Sequence, residues 1–294
     1  MLEHIDLDRQ LSKEEYKRRL PALQRRLYTL EHTVYEARVP VMIVFEGWAA
    51  AGKGTTINEL VERMDPRGFR VVPVHPPRTA ELAYPWMRRF WLHIPGRGQI
   101  VVFDTSWYRR VLIERVTKAV PKREWQQGYQ DIVDFEAMLA AGGMLIVKYW
   151  LHISSKEQSK RFKKLRADKL TAWQVTDEDA AQHDAHDKYT RAVETMLART
   201  EAAHAPWTIV EATDRHYAAL KVFETLVRAL ETRLGDQAPP PEPNEIVAPT
   251  PNEIAAPEPD EIAAPAPAES DTPTAASANG ADLPVAPETE DEDA

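Results

Sequence analysis

The stretch 41–60, VMIVFEGWAAAGKGTTINEL, restricts this chain more than any other. Val41, Met42, Ile43, Val44 and Phe45 read as a short buried strand, a loop of small residues follows, and the pattern then turns helical. The loop fits G-x-x-x-x-G-K at Gly47, Gly52 and Lys53. Glycines at those positions let backbone N–H groups converge on phosphate oxygens, the opening helix turns its positive end toward them, and the lysine adds a mobile cation. The amides of Ala51, Gly52, Gly54 and Thr55 are the candidate cradle beside Lys53. Gly54 occupies the place where a Ser or Thr usually follows the lysine to hold magnesium. A plain strand-to-helix turn could share this composition. The strand before and the helix after decide for a phosphate-binding loop.

The rest of the chain alternates in the same way. Strands are expected at 69–74, 100–103, 144–151 and 208–211, with helices over 53–64, 81–92, 110–120 and 125–141 between them. A final helix starts at Asp214 as N-cap and ends before Gly235. This order predicts an α/β fold: a five-stranded parallel sheet of the P-loop kinase-like kind, with helices on both faces. Before it, 1–36 reads as a helical segment opened by the capping box Ser12-Lys13-Glu14-Glu15, with Pro21 expected to divide it in two. The folded domain is expected over 37–236. Within it, 155–201 is highly charged and helical, in the place where a lid would close over phosphates.

From Gln237 onward there is no Lys or Arg, but 14 Asp and Glu and 13 of the 23 prolines. Three approximate octads, PNEIVAPT, PNEIAAPE and PDEIAAPA, lie within it. Such a segment, 237–294, is expected to be extended and disordered, because proline blocks regular structure and like charges repel. It also hides the charge of the body, which is about +5 against about −14 for the tail. A mildly basic body suits a small polyanion, and nothing in the sequence signals nucleic acid. With no cysteine, disulfides and thiolate metal sites are excluded. No apolar run reaches the 18 or so residues of a membrane span, and the first ten residues lack a secretory layout. The expectation is a cytoplasmic protein with no membrane partner.

A second constellation follows the loop. QIVVFD, residues 99–104, is an apolar strand ending in Asp104, a carboxylate placed to hold Mg²⁺ against the transferring phosphates. Phosphoryl transfer relies on positioning and charge neutralisation, so arginines near this strand matter: Arg88, Arg89, Arg97, Arg109 and Arg110, with Arg89 taken as a phosphate contact.

The G-K-G-T form of the loop resembles nucleotide kinases of the adenylate kinase type. The ordered series EGWAAAGKGTTINEL, DPRGFRVVPV, PWMRRFW, IPGRGQIVVFDTSWYRR, KYWLHIS and APWTIVEATDRHYA is more specific. From about Ser12 to Leu234 it resembles the polyphosphate kinase 2 family. The resemblance implies Mg²⁺-dependent phosphoryl transfer between inorganic polyphosphate and nucleoside mono- or diphosphates, and assembly as homodimers or tetramers. It also implies that Lys53 contacts the transferring phosphates, Asp104 binds the metal, Arg110 and Glu114 line the site, and Arg161 binds phosphate from the lid. Some positions depart from the family pattern. Ala49 stands where a metal-binding Asp is usual, and Thr105 where an Arg is usual. Leu165, Thr171, Gln174, Ala181 and His183 fall at lid positions that are basic in the family. Two readings therefore stand: a phosphotransferase, or a catalytically degenerate polyphosphate- or nucleotide-binding protein that regulates or assembles with an active relative.

Overall fold

The computed structural model describes residues 2–240; the expected extended tail lies outside the described residues beyond Pro240. A helix α1 (Lys13–Glu36) leads into strand β1 (Val41–Gly47), then α2 (Lys53–Val61) and β2 (Phe69–Pro73). Two single-turn helices, α3 (Thr79–Leu82) and α4 (Arg88–Trp91), precede β3 (Ile100–Asp104). A 3-10 turn at Trp107–Arg110 and the short α5 (Ile113–Val116) lead to α6 (Lys122–Ala141) and β4 (Leu145–His152). Then come α7 (Ser155–Ala167), α8 (Asp177–Asp184), α9 (His186–Thr200), β5 (Trp207–Glu211) and α10 (Arg215–Leu234).

The five strands form one parallel sheet in the order β2-β3-β1-β4-β5, as the alternating pattern predicts. Every residue of β1 is buried, which is why 41–47 is apolar without alternation: a central parallel strand is covered on both faces. The chain leaves β1 toward one edge and, after β3, crosses to the other side of the sheet. The carboxyl ends of β1 and β3 therefore flank the point where the winding reverses, the place where open α/β sheets bind ligands. The register pairs Phe45 with Asp104, so Glu46–Gly47 and Asp104–Thr105 emerge side by side there.

Three local expectations change. Helix α1 runs unbroken through Pro21. The missing amide bond at Pro21 is offset by anchorage of α1 along α10: Arg19 pairs with Glu224, Arg26 Nε donates to Glu231 at 2.8 Å, and Leu27, Leu30 and Val34 are buried. The single helix expected over 81–92 is two turns instead, because Pro85 drives Tyr84 out of helical geometry. The helix expected over 110–120 is reduced to one α turn, Ile113–Val116, preceded by the 3-10 turn Trp107–Arg110. That tighter path buries Trp107 and Tyr108 completely.

Helices between β4 and β5 divide in burial. Tyr189, Val193, Met196 and Leu197 set α9 into the core, α7 buries Gln158 and Phe162, and α8 buries none of its residues. Among the described residues no helix is long and apolar enough to cross a membrane.

Candidate active site

The loop 47–53 is held in one shape by its own residue types and by its neighbours. A Cβ on Gly47 would lie 2.6 Å from the Leu151 carbonyl oxygen on the adjacent strand, so no larger residue fits. Gly52 caps α2 at φ 104°, in the left-handed region that glycine enters without cost. Ala50 (φ 58°) and Thr105 (φ 63°) are in left-handed geometry without that freedom, a strain of order 1–3 kcal/mol each. Thr105 is β-branched, so its outlier is the costlier kind; its N–H donates to the Phe45 carbonyl at 3.0 Å.

Four elements grip this loop. Arg161 of α7 donates through Nη1 to the carbonyls of Ala50 and Ala51, both at 3.0 Å. Its Nη2 reaches the carbonyls of Ala212 and Thr213 after β5, at 2.8 and 2.9 Å, and its Nε reaches Glu157 at 2.9 Å. The Ala49 N–H donates to Gln182 Oε1 of α8 at 2.8 Å, and Gln158 Nε2 of α7 donates to the Ala49 carbonyl at 3.2 Å. The Trp48 indole donates to His152 Nδ1 of β4 at 2.9 Å, and its ring stacks on His186 of α9 with centroids 4.3 Å apart. Lys53 Nζ folds back over the loop, 3.3 Å from the Gly47 carbonyl.

Glu46, at the end of β1, is buried and accepts from the backbone N–H and the hydroxyl of Ser106, both at 2.8 Å. Burial pushes its carboxyl up to about 7, against the opposing pull of Ser106 and Lys53; the neighbouring Asp104 adds to the rise. Asp104 itself is half-buried at the end of β3. Glu46 and Asp104 end adjacent strands beside Lys53, and their carboxyl oxygens are a donor set that fits a divalent cation. Among the described residues no group of three or more His, Asp or Glu side chains could hold a metal ion.

Two cavities open here. One, of about 280 Å³, is lined by Glu46, Gly47, Lys53, Arg109, Trp150 and Tyr189. Trp150 Nε1 and Tyr189 OH are buried without hydrogen-bond partners. The other, of about 250 Å³, is lined by Trp86, Arg89, Arg109, Arg110 and Glu114. Arg110 sits 4.8 Å from the centre of the Trp86 ring and pairs with Glu114 at 3.2 Å and Glu124 at 3.3 Å. Arg89 Nη2 donates to the His75 carbonyl at 2.9 Å; burial lowers the pKa of its guanidinium from the ordinary arginine value.

The structure thus brings Gly47 and Lys53 to one cavity and Arg89, Arg110 and Glu114 to the other. Ala51, Gly52, Gly54 and Thr55 form the turn from loop into α2. Arg161 lies behind the loop with all five N–H donors engaged by protein oxygens, which leaves none for a phosphate. Sequence reasoning missed Glu178, Gln182 and Gln158. The i, i+4 spacing of Glu178 and Gln182 puts them on one face of α8, but no local pattern ties that face to residues 49 and 109.

Fold and site together define an α/β protein of the P-loop, kinase-like class. The family model for polyphosphate kinase 2 (PPK2) matches residues 10–238, and the chain belongs to that family. It is 40% identical over 231 residues to a polyphosphate:AMP phosphotransferase of Pseudomonas aeruginosa, covering 79% of this chain and 47% of the relative. It is 36% identical over 237 residues to an ADP-polyphosphate phosphotransferase of the same organism, covering 81% of this chain and 78% of the relative. The crystal structure of polyphosphate kinase 2 from Arthrobacter aurescens TC1 superposes with a TM-score of 0.75 at 29% identity, over 79% of this chain and 85% of that one. The chain spans about half the length of the polyphosphate:AMP phosphotransferases it matches.

Proposed function

We propose that this chain transfers a phosphoryl group between inorganic polyphosphate and a nucleoside mono- or diphosphate. The observation that carries the reading is the pair of cavities at the winding reversal, one floored by the phosphate loop and Lys53, the other walled by arginines and aromatic rings. The named activities of the relatives support it. In the direction of nucleotide synthesis, a nucleotide phosphate oxygen attacks the terminal phosphorus of polyphosphate. The bridging P–O bond breaks, and the shortened chain leaves as a phosphate anion. Lys53 and the loop amides hold the terminal phosphates, while Arg110, fixed by Glu114 and Trp86, neutralises charge from the second cavity. Asp104, with Glu46 beside it, would hold Mg²⁺, which when bound supplies further charge neutralisation on the phosphates. Ala49 contributes no carboxylate; its backbone instead ties the loop to α7 and α8. The lid assignment narrows to 155–185, because α9 belongs to the core. We also assign a homo-oligomeric state on the family reading, which size-exclusion chromatography with light scattering tests.

The test uses the full chain with polyphosphate, Mg²⁺ and, separately, AMP, ADP and GDP, with nucleotide products separated and counted. Turnover that falls by at least about a hundredfold in Lys53→Ala supports the reading, the size expected for loss of one charge-stabilising group. Polyphosphate binding with no product from any nucleotide would refute it.

A further inference from the structure

Arg109 lines both cavities. Its side chain is 8% exposed, and its two terminal nitrogens donate to the two oxygens of Glu178, at 2.9 and 2.5 Å. Its Nε is buried with no hydrogen-bond partner, so the guanidinium is engaged on one edge only. The partner is placed quite differently. The Glu178 side chain is 40% exposed, on a helix that buries none of its residues. A carboxylate offers a guanidinium a pair of oxygens much as a phosphate does, and the fork of Arg109 can donate to either.

We propose that Arg109 is a phosphate-binding residue of the transfer site and that Glu178 is its internal competitor, holding the guanidinium until a phosphate displaces it. The other site arginines are differently committed. Arg161 is spent on loop carbonyls, and Arg110 is shared between Glu114 and Glu124 within one cavity. Between these two cavities Arg109 is the one shared lining residue. It therefore stands where a phosphate would pass from a donor in one to an acceptor in the other. Displacing Glu178 does not detach α8, because Gln182 still accepts from Ala49 N–H and from Gln158 Nε2, the latter at 3.1 Å. The competition has a simple arithmetic. When the binding-competent form is a fraction of the population, apparent affinity falls by that fraction. An Arg109 held by Glu178 about nine-tenths of the time binds phosphate about tenfold more weakly than a free one.

The proposal rests on the transferase reading only for which phosphates arrive at Arg109. It is tested by titrating the full chain with tripolyphosphate in a calorimeter, for the unmodified protein, Glu178→Gln, Arg109→Gln and the double variant. Glu178→Gln is expected to bind tripolyphosphate about tenfold tighter and Arg109→Gln at least about tenfold weaker. In the Arg109→Gln background, Glu178→Gln should add nothing. Thermal melts without ligand separate folding from binding, and Arg109→Lys, which keeps the charge but not the fork, is a second variant expected to fall between. If the pair is only a structural tie, Glu178→Gln will bind no tighter than the unmodified protein, and that result overturns the proposal. Absence of tripolyphosphate binding in both the unmodified protein and Glu178→Gln overturns it too. The expected binding pattern without nucleotide turnover would leave the Arg109 assignment standing and remove the transferase reading. Turnover with an unresponsive Glu178→Gln would do the reverse.

Discussion

At Arg161 one side chain joins three parts of the chain: the loop carbonyls of Ala50 and Ala51, the turn after β5, and Glu157 on its own helix. Hydrogen bonds from a charged donor contribute more than neutral ones, and removing this donor leaves four carbonyls to find other partners. Arg161→Ala is expected to lower unfolding free energy by about 2–3 kcal/mol in urea denaturation, with Arg161→Lys recovering only part, since three donors cannot satisfy five geometries. A loss under 0.5 kcal/mol would show that the loop holds its shape without the clamp. The sequence marked Arg161 as a cation near phosphates. It could not show that the cation faces the back of the loop, because its partners lie about 50 and 110 positions away and are backbone atoms. The backbone geometry at Gly47 and Gly52 was legible for the opposite reason: it follows from spacing within one loop.

Among the elements, β4 and α9 brace the loop through Trp48. His152 accepts the indole proton on Nδ1 and is 7% exposed, and burial pulls its imidazole down to about 4. His186, stacked on the same indole, is also pulled down by burial. Across roughly pH 4 to 6.5 the unfolded chain holds a proton on residue 152 that the folded chain does not. Stability is therefore complete above the ordinary histidine pKa and is lost as pH falls toward 4. At pH 5 the loss is about 2 kcal/mol, from about 1.5 pH units at 1.36 kcal/mol each. His152→Gln, whose amide oxygen can accept from Trp48, is expected to flatten this acid limb in melts between pH 5 and 7. An unchanged acid limb would assign the loss to other groups. At this scale the sequence read the strands well, because β1, β3 and β4 are apolar runs with clear ends. It misjudged helices where one residue overrules a pattern. Pro85 splits one expected helix, and the burial of Trp107 and Tyr108 tightens another, whereas Pro21 fails to break α1 because α10 holds both halves.

Through the described body as a whole, a buried polar network ties the site to the fold. Lys148 of β4, with a fully buried side chain, donates to Glu136 of α6 at 2.8 Å, to Tyr108 OH at 2.9 Å and to the Thr200 carbonyl of α9 at 2.9 Å. Glu136 also accepts from Trp107 Nε1 at 3.0 Å and Tyr108 OH at 2.7 Å. The turn carrying Arg109 and Arg110 is thereby fixed to the sheet and to two helices. Burial lowers the Lys148 ammonium and raises the Tyr108 phenol, and the ion pair with Glu136 opposes the fall at the lysine. Breaking a buried pair on one side strands the other charge, so Lys148→Met is expected to cost about 3–5 kcal/mol. Lys148→Met with Glu136→Leu should recover much of it, measured by urea denaturation. A single variant as stable as the unmodified protein would contradict the bracing role. The alternation of strands and helices carried the layered fold in the sequence. This network was not legible there, since Lys148 sits in an apolar strand whose pattern gives no sign of its partners.

The most direct measurement follows both substrates at once. The 294-residue chain, polyphosphate of defined length, Mg²⁺ and either AMP or ADP are observed together by phosphorus NMR. The account predicts one terminal phosphate lost from polyphosphate for each phosphoanhydride gained by the nucleotide, and no exchange in Lys53→Ala. Polyphosphate that binds but keeps its length, with both nucleotides unchanged, would contradict the transferase reading and leave a phosphate-binding protein.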